Sequence, residues 1–228
     1  MQFPGKAVFL DWDHCLFDTD LFFNVDVWNV MQHFGITSAV WEQAMINAVA
    51  KGFTLTVFAE EIQAATNLTL PCEGLHRLFD QHFNNLCQYV FPDVIGFLKQ
   101  AVEKGWERHI ITFGSAEWQN YKISRSLIAN DVDNVIVSAQ AGQKGNLLKE
   151  TTLRYEHVVV VDNNPAELDS VREHMPHAET YLINRVPDEF LISVSEEMER
   201  RFMEARIYVS RRSRYEHQRC RSLAEIDL

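Results

Sequence analysis

The chain has 228 residues, 46% of them apolar, and a formal net charge of −11. That length suffices for one α/β domain with a small accessory domain and gives ample apolar content for a core, while no apolar run approaches membrane-spanning length. Residues 200–228 carry about +4 and residues 1–199 about −15, so the acidic body argues against a nucleic-acid partner and the basic tail alone leaves such a contact open.

Met1-Gln2-Phe3-Pro4-Gly5-Lys6 forms no secretory signal, because a strand comes at once. That strand, Ala7-Val8-Phe9-Leu10, runs into Asp11-Trp12-Asp13, two carboxylates separated by one residue. In open α/β sheets ligands bind beyond the carboxyl ends of the strands. Alternate residues there can offer one carboxylate as nucleophile or metal ligand and the other as acid/base. Aspartates also cap strands and open turns for local reasons, so the pair gains its weight from the strand ends later in the chain.

Residues 17–88 are more than a strand-helix crossover requires. Leu21, Phe22, Val25, Trp28, Met31 and Phe34 recur at helical spacing, and further helical stretches cover about 38–51, 56–66 and 73–87, broken by Gly52 and Pro71. The pattern predicts an inserted all-helical module whose aromatic stripe forms its own core.

After Phe91-Pro92-Asp93-Val94 and a helix to Lys104, Trp106–Gly114 reads as a strand ending on Thr112, Phe113 and a turn glycine. Next come a helix over about 117–129, a strand Asn134–Val137 and the glycine-flanked lysine of Gln143-Lys144-Gly145. His157–Asp162 is a β-branched strand ending on an acid before Asn163-Asn164-Pro165, then come a helix over Pro165–His174 and a strand Thr180–Ile183 that closes the sheet. Such alternation predicts the α/β class: a Rossmann-like, doubly wound parallel sheet. The domain reading is 1–16 and 89–187 for the core, 17–88 for the insertion and 188–228 for a C-terminal helix and basic tail. Leu191, Val194, Met198, Phe202, Ala205 and Val209 recur at helical spacing, and the apolar face they make has two possible covers, the core or a second copy in a homodimer. Arg211-Arg212-Ser213-Arg214 reads as a solvated end. Cysteines at 15, 72, 87 and 220 show no metal spacing, which fits free thiols in a reducing cytoplasm.

In their order, these strand ends resemble the four motifs of the haloacid dehalogenase superfamily, in a phosphatase-like branch with a helical cap between the first two motifs. The resemblance spans about Gly5 to Asn184. It implies that Asp11 is the nucleophile, Asp13 the acid/base, and Thr112 the hydroxyl that positions the phosphoryl group, with Phe113 and Gly114 beside it. Lys144 matches the cation of the third motif, with Lys149 as its rival. Magnesium (Mg2+) is then expected on Asp11, the Asp13 backbone carbonyl and Asp162, with Asn163 or Glu167 completing the set. Relatives carry glycine and then threonine or valine where this chain has His14 and Cys15; the thiol is nearly isosteric with threonine, whereas the imidazole either narrows the site or diverts the backbone.

A carboxylate can attack a phosphate monoester only when cations screen its charge. The dehalogenases that name the superfamily lack the second aspartate of the first motif, because a halide needs no proton. Asp13 therefore argues for a magnesium-dependent phosphohydrolase that cleaves a small phosphomonoester through an aspartyl phosphate. A phosphomutase of the same superfamily, or a weakly catalytic phospho-ligand binding or scaffold module, are the alternatives.

Overall fold

A computed structural model describes residues 5–66, 72–185 and 213–228. Six strands form one parallel sheet: β1 (Gly5–Leu10), β2 (Trp106–Phe113), β3 (Asn134–Ser138), β4 (Tyr155–Asp162), β5 (Glu179–Ile183) and β6 (Gln218–Cys220), in the spatial order β3-β2-β1-β4-β5-β6. Ala7–Leu10 are wholly buried, because helices cover both faces of the sheet and a strand so placed is apolar throughout. Val8 and Leu10 join a cluster with Phe97 and Leu98, while Ala7 and Phe9 pack with Leu148, Leu168 and Val171 on the other face. The chain goes outward from β1 to β3, then returns to the far side of β1 for β4. The strand order therefore reverses between β1 and β4, and in open α/β sheets the crevice for ligands lies at such a point, beyond the carboxyl ends of the strands. Leu10 pairs with Val161, so Asp11 and Asp162 leave the sheet side by side.

Eight α-helices lie among the described residues: α1 (Trp28–Gln32), α2 (Ser38–Ala50), α3 (Leu55–Ala65), α4 (Cys72–His82), α5 (Val94–Glu103), α6 (Ala116–Arg125), α7 (Lys144–Thr151) and α8 (Pro165–His174). Several of their starts rest on side chains that take up orphan backbone N–H groups. Thr37 accepts from the Val40 N–H, Thr54 from that of Val57, Ser115 from that of Trp118 and Asn164 from that of Ala166. Pro165 adds a preset dihedral at the first position of α8. Among the described residues no helix is long and apolar enough to cross a membrane.

The helical insertion departs from the expected stripe. Phe22, Phe23, Val27 and Met31 are buried, whereas Leu21, Val25 and Phe34 are exposed. Asp20–Val27 is a π-helical turn, whose wider winding shifts the phase of every later side chain. The insertion does not keep its aromatics to itself, either. Phe22, Phe23, Phe53 and Phe79 all pack on Trp118 of α6, in one apolar cluster that continues to Leu10 and Trp12.

The C-terminal segment is a second correction. The sheet does not close at Ile183: Tyr181, Leu182 and Ile183 pair with Gln218, Arg219 and Cys220. A three-residue strand this polar carries no alternation to read. Ser213 and Arg214 are exposed, as expected of a solvated end, but their segment is tethered: buried Asp169 accepts from the Ser213 hydroxyl at 2.7 Å, the Arg214 N–H at 2.7 Å and His217 Nε2 at 3.1 Å. Asp93 accepts from Ser222 Oγ and Arg185 Nη1, both at 2.6 Å. The helix expected over 191–209, and Arg211 and Arg212 with it, lie outside the described residues.

Because Trp118 carries packing from both the insertion and the core, Trp118→Ala should lower unfolding free energy by about 3–5 kcal/mol, the usual cost of so large a buried truncation. Urea denaturation checks this. A loss below about 1 kcal/mol would mean that the insertion does not rest on α6.

Candidate active site

At the crevice, the Lys144 ammonium donates to Asp11 Oδ1 and to Asp162 Oδ2, each at 2.6 Å. All three side chains are buried, with at most 8% of any one exposed. Burial pushes the Asp11 carboxyl up to about 7, against the pull of Lys144 and with the repulsion of Asp162 adding to it. Burial raises Asp162 too, again opposed by Lys144. For Lys144 burial favours the neutral amine, but the two acids overcome it and hold the ammonium above the ordinary lysine range. When both carboxylates are ionised, one ammonium between them leaves one negative charge over, which in the free protein a proton on Asp11 can take up near neutral pH. Lys149, the rival, is exposed farther along α7.

Lys144 reaches this point because its loop is tied down. Glu167 is 2% exposed and accepts from the N–H groups of Gly142 and Lys144, at 2.6 and 3.2 Å. Both of its oxygens thus serve the loop. Gly145 then lets α7 lie against α8: an added Cβ would sit 2.0 Å from the Ser170 carbonyl oxygen.

The other end of the site is built on a tight turn. The N–H groups of Leu16 and Phe17 donate to the Trp12 carbonyl at 3.0 Å, and Arg185 holds the Cys15 carbonyl through Nε and Nη2 at 3.0 and 2.8 Å. His14 takes the left-handed conformation (φ 59°) that glycine adopts more readily, and its partly exposed imidazole lies with Nδ1 3.3 Å from Asp20. Cys15 is a buried thiol near the Val161 carbonyl.

Asp13 is three-quarters buried and fully engaged. Its Oδ1 accepts from Thr19 Oγ1 at 2.5 Å and from the Lys122 ammonium, and its Oδ2 from Gln119 Nε2 at 2.9 Å. Burial favours the protonated acid, but Lys122 and these hydrogen bonds prevail and hold the carboxyl down to about 2. Thr112 stands buried at the end of β2, next to Phe113, whose carbonyl accepts from Gln119 at 2.7 Å, and Gly114, in a turn at φ 129°. Thr19, Gln119, Lys122 and Arg185 were not among the residues the sequence pointed to; a polar residue within a helix or linker reads as a solvated one until the fold buries it.

Asn163 bears on a metal. Its side-chain amide lies 3.0 Å from Asp11 Oδ2 and 3.2 Å from the Asp13 carbonyl. With the nitrogen inward it donates to both oxygens. With the oxygen inward, it stands from each of these two oxygens at about the spacing of adjacent ligands around a six-coordinate Mg2+, about 2.9 Å for bonds of 2.0–2.1 Å. Among the described residues no three His, Cys, Asp or Glu side chains are grouped to hold a metal. The donor set is mixed instead: a carboxylate, a main-chain carbonyl and an amide, with Asp162 beside them. Such hard oxygen donors suit magnesium, which needs only one or two carboxylates. Glu167 gives both its oxygens to the loop N–H groups and none to the Lys144 ammonium that joins Asp11 and Asp162.

No protein-family model matches the chain, and no curated protein sequence matches it significantly. Solved structures do. A putative haloacid dehalogenase-like hydrolase from Burkholderia xenovorans aligns over 99% of this chain and 100% of its own at 16% identity, with a TM-score of 0.70. The chain has the haloacid dehalogenase-like fold. A putative hydrolase of that superfamily from Bacillus subtilis, bound to magnesium, aligns over 97% and 96% at 14% identity (TM-score 0.60). The L-2-haloacid dehalogenase of Xanthobacter autotrophicus, with chloropropionic acid covalently bound, aligns over 97% and 96% at 16% identity (TM-score 0.57).

If Glu167 is the anchor of the Lys144 loop, Glu167→Ala strands one buried and one partly buried N–H group and should cost about 1–3 kcal/mol of stability in metal-free buffer. Chemical denaturation with and without magnesium reads this. A variant as stable as the wild type without metal, and weaker only in binding it, would return Glu167 to the ligand set.

Proposed function

We propose that the protein is a magnesium-dependent phosphohydrolase acting on a small phosphomonoester, with Asp11 as nucleophile. The observation that supports this best is the pair of unlike carboxylates at one turn: Asp11, buried beside Lys144 and Asp162, and Asp13, fixed next to it by three donors. A halide leaves without a proton, so a second carboxylate there has no work in dehalogenation but has two tasks in ester hydrolysis.

In this reading the phosphoryl group enters over Asp11, where Lys144 supplies one positive charge and the Thr112 hydroxyl and the turn at Gly114 border it. Magnesium would be held by Asp11, the Asp13 main-chain carbonyl, Asp162 and the side-chain oxygen of Asn163, and would supply the second positive charge. Asp13 is ionised in the free protein, and a phosphate dianion brought beside it raises its carboxyl, so in this reading it takes up a proton with the substrate; Asp11 then attacks the phosphorus in line and the departing ester oxygen takes that proton. Asp13, again ionised, then draws a proton from the water that splits the aspartyl phosphate and releases inorganic phosphate. His14 and Asp20 flank the mouth, where the rest of the substrate would lie under the helical insertion.

A second reading has a specific observation behind it. With its nitrogen inward, Asn163 gives Asp11 a neutral donor in place of a metal, and one structural neighbour is a dehalogenase with a haloacid covalently bound. One assay set separates the two. Phosphate release from a panel of small esters should need magnesium, stop with chelator and fall at least about 10³-fold in Asp11→Asn. Chloride release from 2-chloropropionate without metal, and no phosphate from any ester, would replace the phosphohydrolase reading by the dehalogenase.

A further inference from the structure

Lys122 lies in the middle of α6, where a helix packed on a core usually carries an apolar residue. Its side chain is 2% exposed and its ammonium sits between two aromatic rings, 5.8 Å from the centroid of Phe17 and 5.6 Å from that of Trp118. The carboxylate it meets is that of Asp13, 109 residues away in sequence. Burying an ammonium costs several kcal/mol unless a good partner offsets it, so a lysine held there for packing alone would be a poor choice. Three residues earlier, on the same face of α6, Gln119 donates to the other oxygen of Asp13 at 2.9 Å and is itself fixed by its bond to the Phe113 carbonyl at 2.7 Å.

These contacts constrain a group that would otherwise rotate. A carboxylate on a two-bond side chain at the end of a turn has free choice of torsion, and an acid/base must hold its oxygen within hydrogen-bond reach of the moving proton. Donors on both oxygens remove that freedom. We propose that Lys122 is the positioning residue of Asp13: with Gln119 it fixes the carboxylate toward the group bound at Asp11, so that the acid/base step depends on α6. This rests on the reading of Asp13 as the acid/base.

The test is a double-mutant cycle of wild type, Lys122→Met, Asp13→Asn and the double variant, in steady-state kinetics on one phosphomonoester with magnesium. Methionine fills the same aromatic cage without a charge. Lys122→Met should lower kcat by about 10-fold or more while KM stays within about three-fold, and the double variant should be no slower than Asp13→Asn alone. Gln119→Ala should show the same pattern more weakly, and it carries the test if Lys122→Met does not fold. Losses that multiply in the double variant, or a rise in KM with kcat unchanged, would overturn the positioning role while leaving the hydrolase reading intact. A wild type inert on every ester would overturn both. Melting the same four proteins tests the pair itself: Asp13→Asn strands a buried ammonium, so the double variant should melt higher than it does, and additive shifts would show that no such pair forms.

Discussion

Two carboxylates buried side by side cannot both be ionised without a cation between them, and the Lys144 ammonium, 2.6 Å from each, is the contact on which the arrangement depends. The fold supplies every part of it. The parallel register of β1 and β4 sets Asp11 beside Asp162. Gly145 allows α7 to approach α8 closely enough for a lysine at the first residue of α7 to reach inward, and Glu167 holds the preceding loop by its backbone. When both are ionised, a single ammonium still leaves one negative charge over, in a setting where burial raises both acids. That imbalance is the physical reason to expect a second cation, and the hard oxygen atoms around Asp11 and Asn163 are suited to one.

Charge is managed differently at the other acid of the same turn. Asp13 keeps its ionised form through Lys122, Thr19 and Gln119, so the two acids sit in opposite regimes, one pushed up to about 7 and one held down to about 2. These resting values fit Asp13 as a base, and its service as an acid depends on a proton taken up when the substrate's negative charge arrives beside it. The likeness to these three solved structures, at 14–16% identity, carries the fold and no more. The phosphohydrolase reading stands on Asp13, and on the surroundings that make it unlike Asp11.

Much of the fold is legible from strand chemistry. A strand buried on both faces is an unbroken apolar run, so β1, β2 and β4 stand out, and the functional groups at their ends, Asp11, Thr112 and Asp162, stand out with them. Lys144 is marked by the glycine next to it. Where a residue's meaning depends on what packs over it, the sequence is silent. Lys122 and Gln119 look like any polar residues of an amphipathic helix, and only the aromatic rings of Phe17 and Trp118 turn Lys122 into a buried ion. Glu167 looks like a spare metal ligand, because nothing local reveals that its oxygens are taken by backbone N–H groups 23 and 25 residues earlier. The stripe of the insertion is misphased because a π-helical turn leaves no mark in residue spacing, and β6 is too short and polar to show any pattern.

The central claim, that Asp11 at the strand switch point supplies the oxygen that attacks phosphorus, is open to direct observation. Acid quench during turnover of a phosphomonoester, with mass spectrometry of the peptide that contains Asp11, should find a phosphoryl group on that residue in the wild type and none in Asp11→Asn. Turnover with no phosphoryl group on Asp11, or with the label on another side chain, would contradict the account.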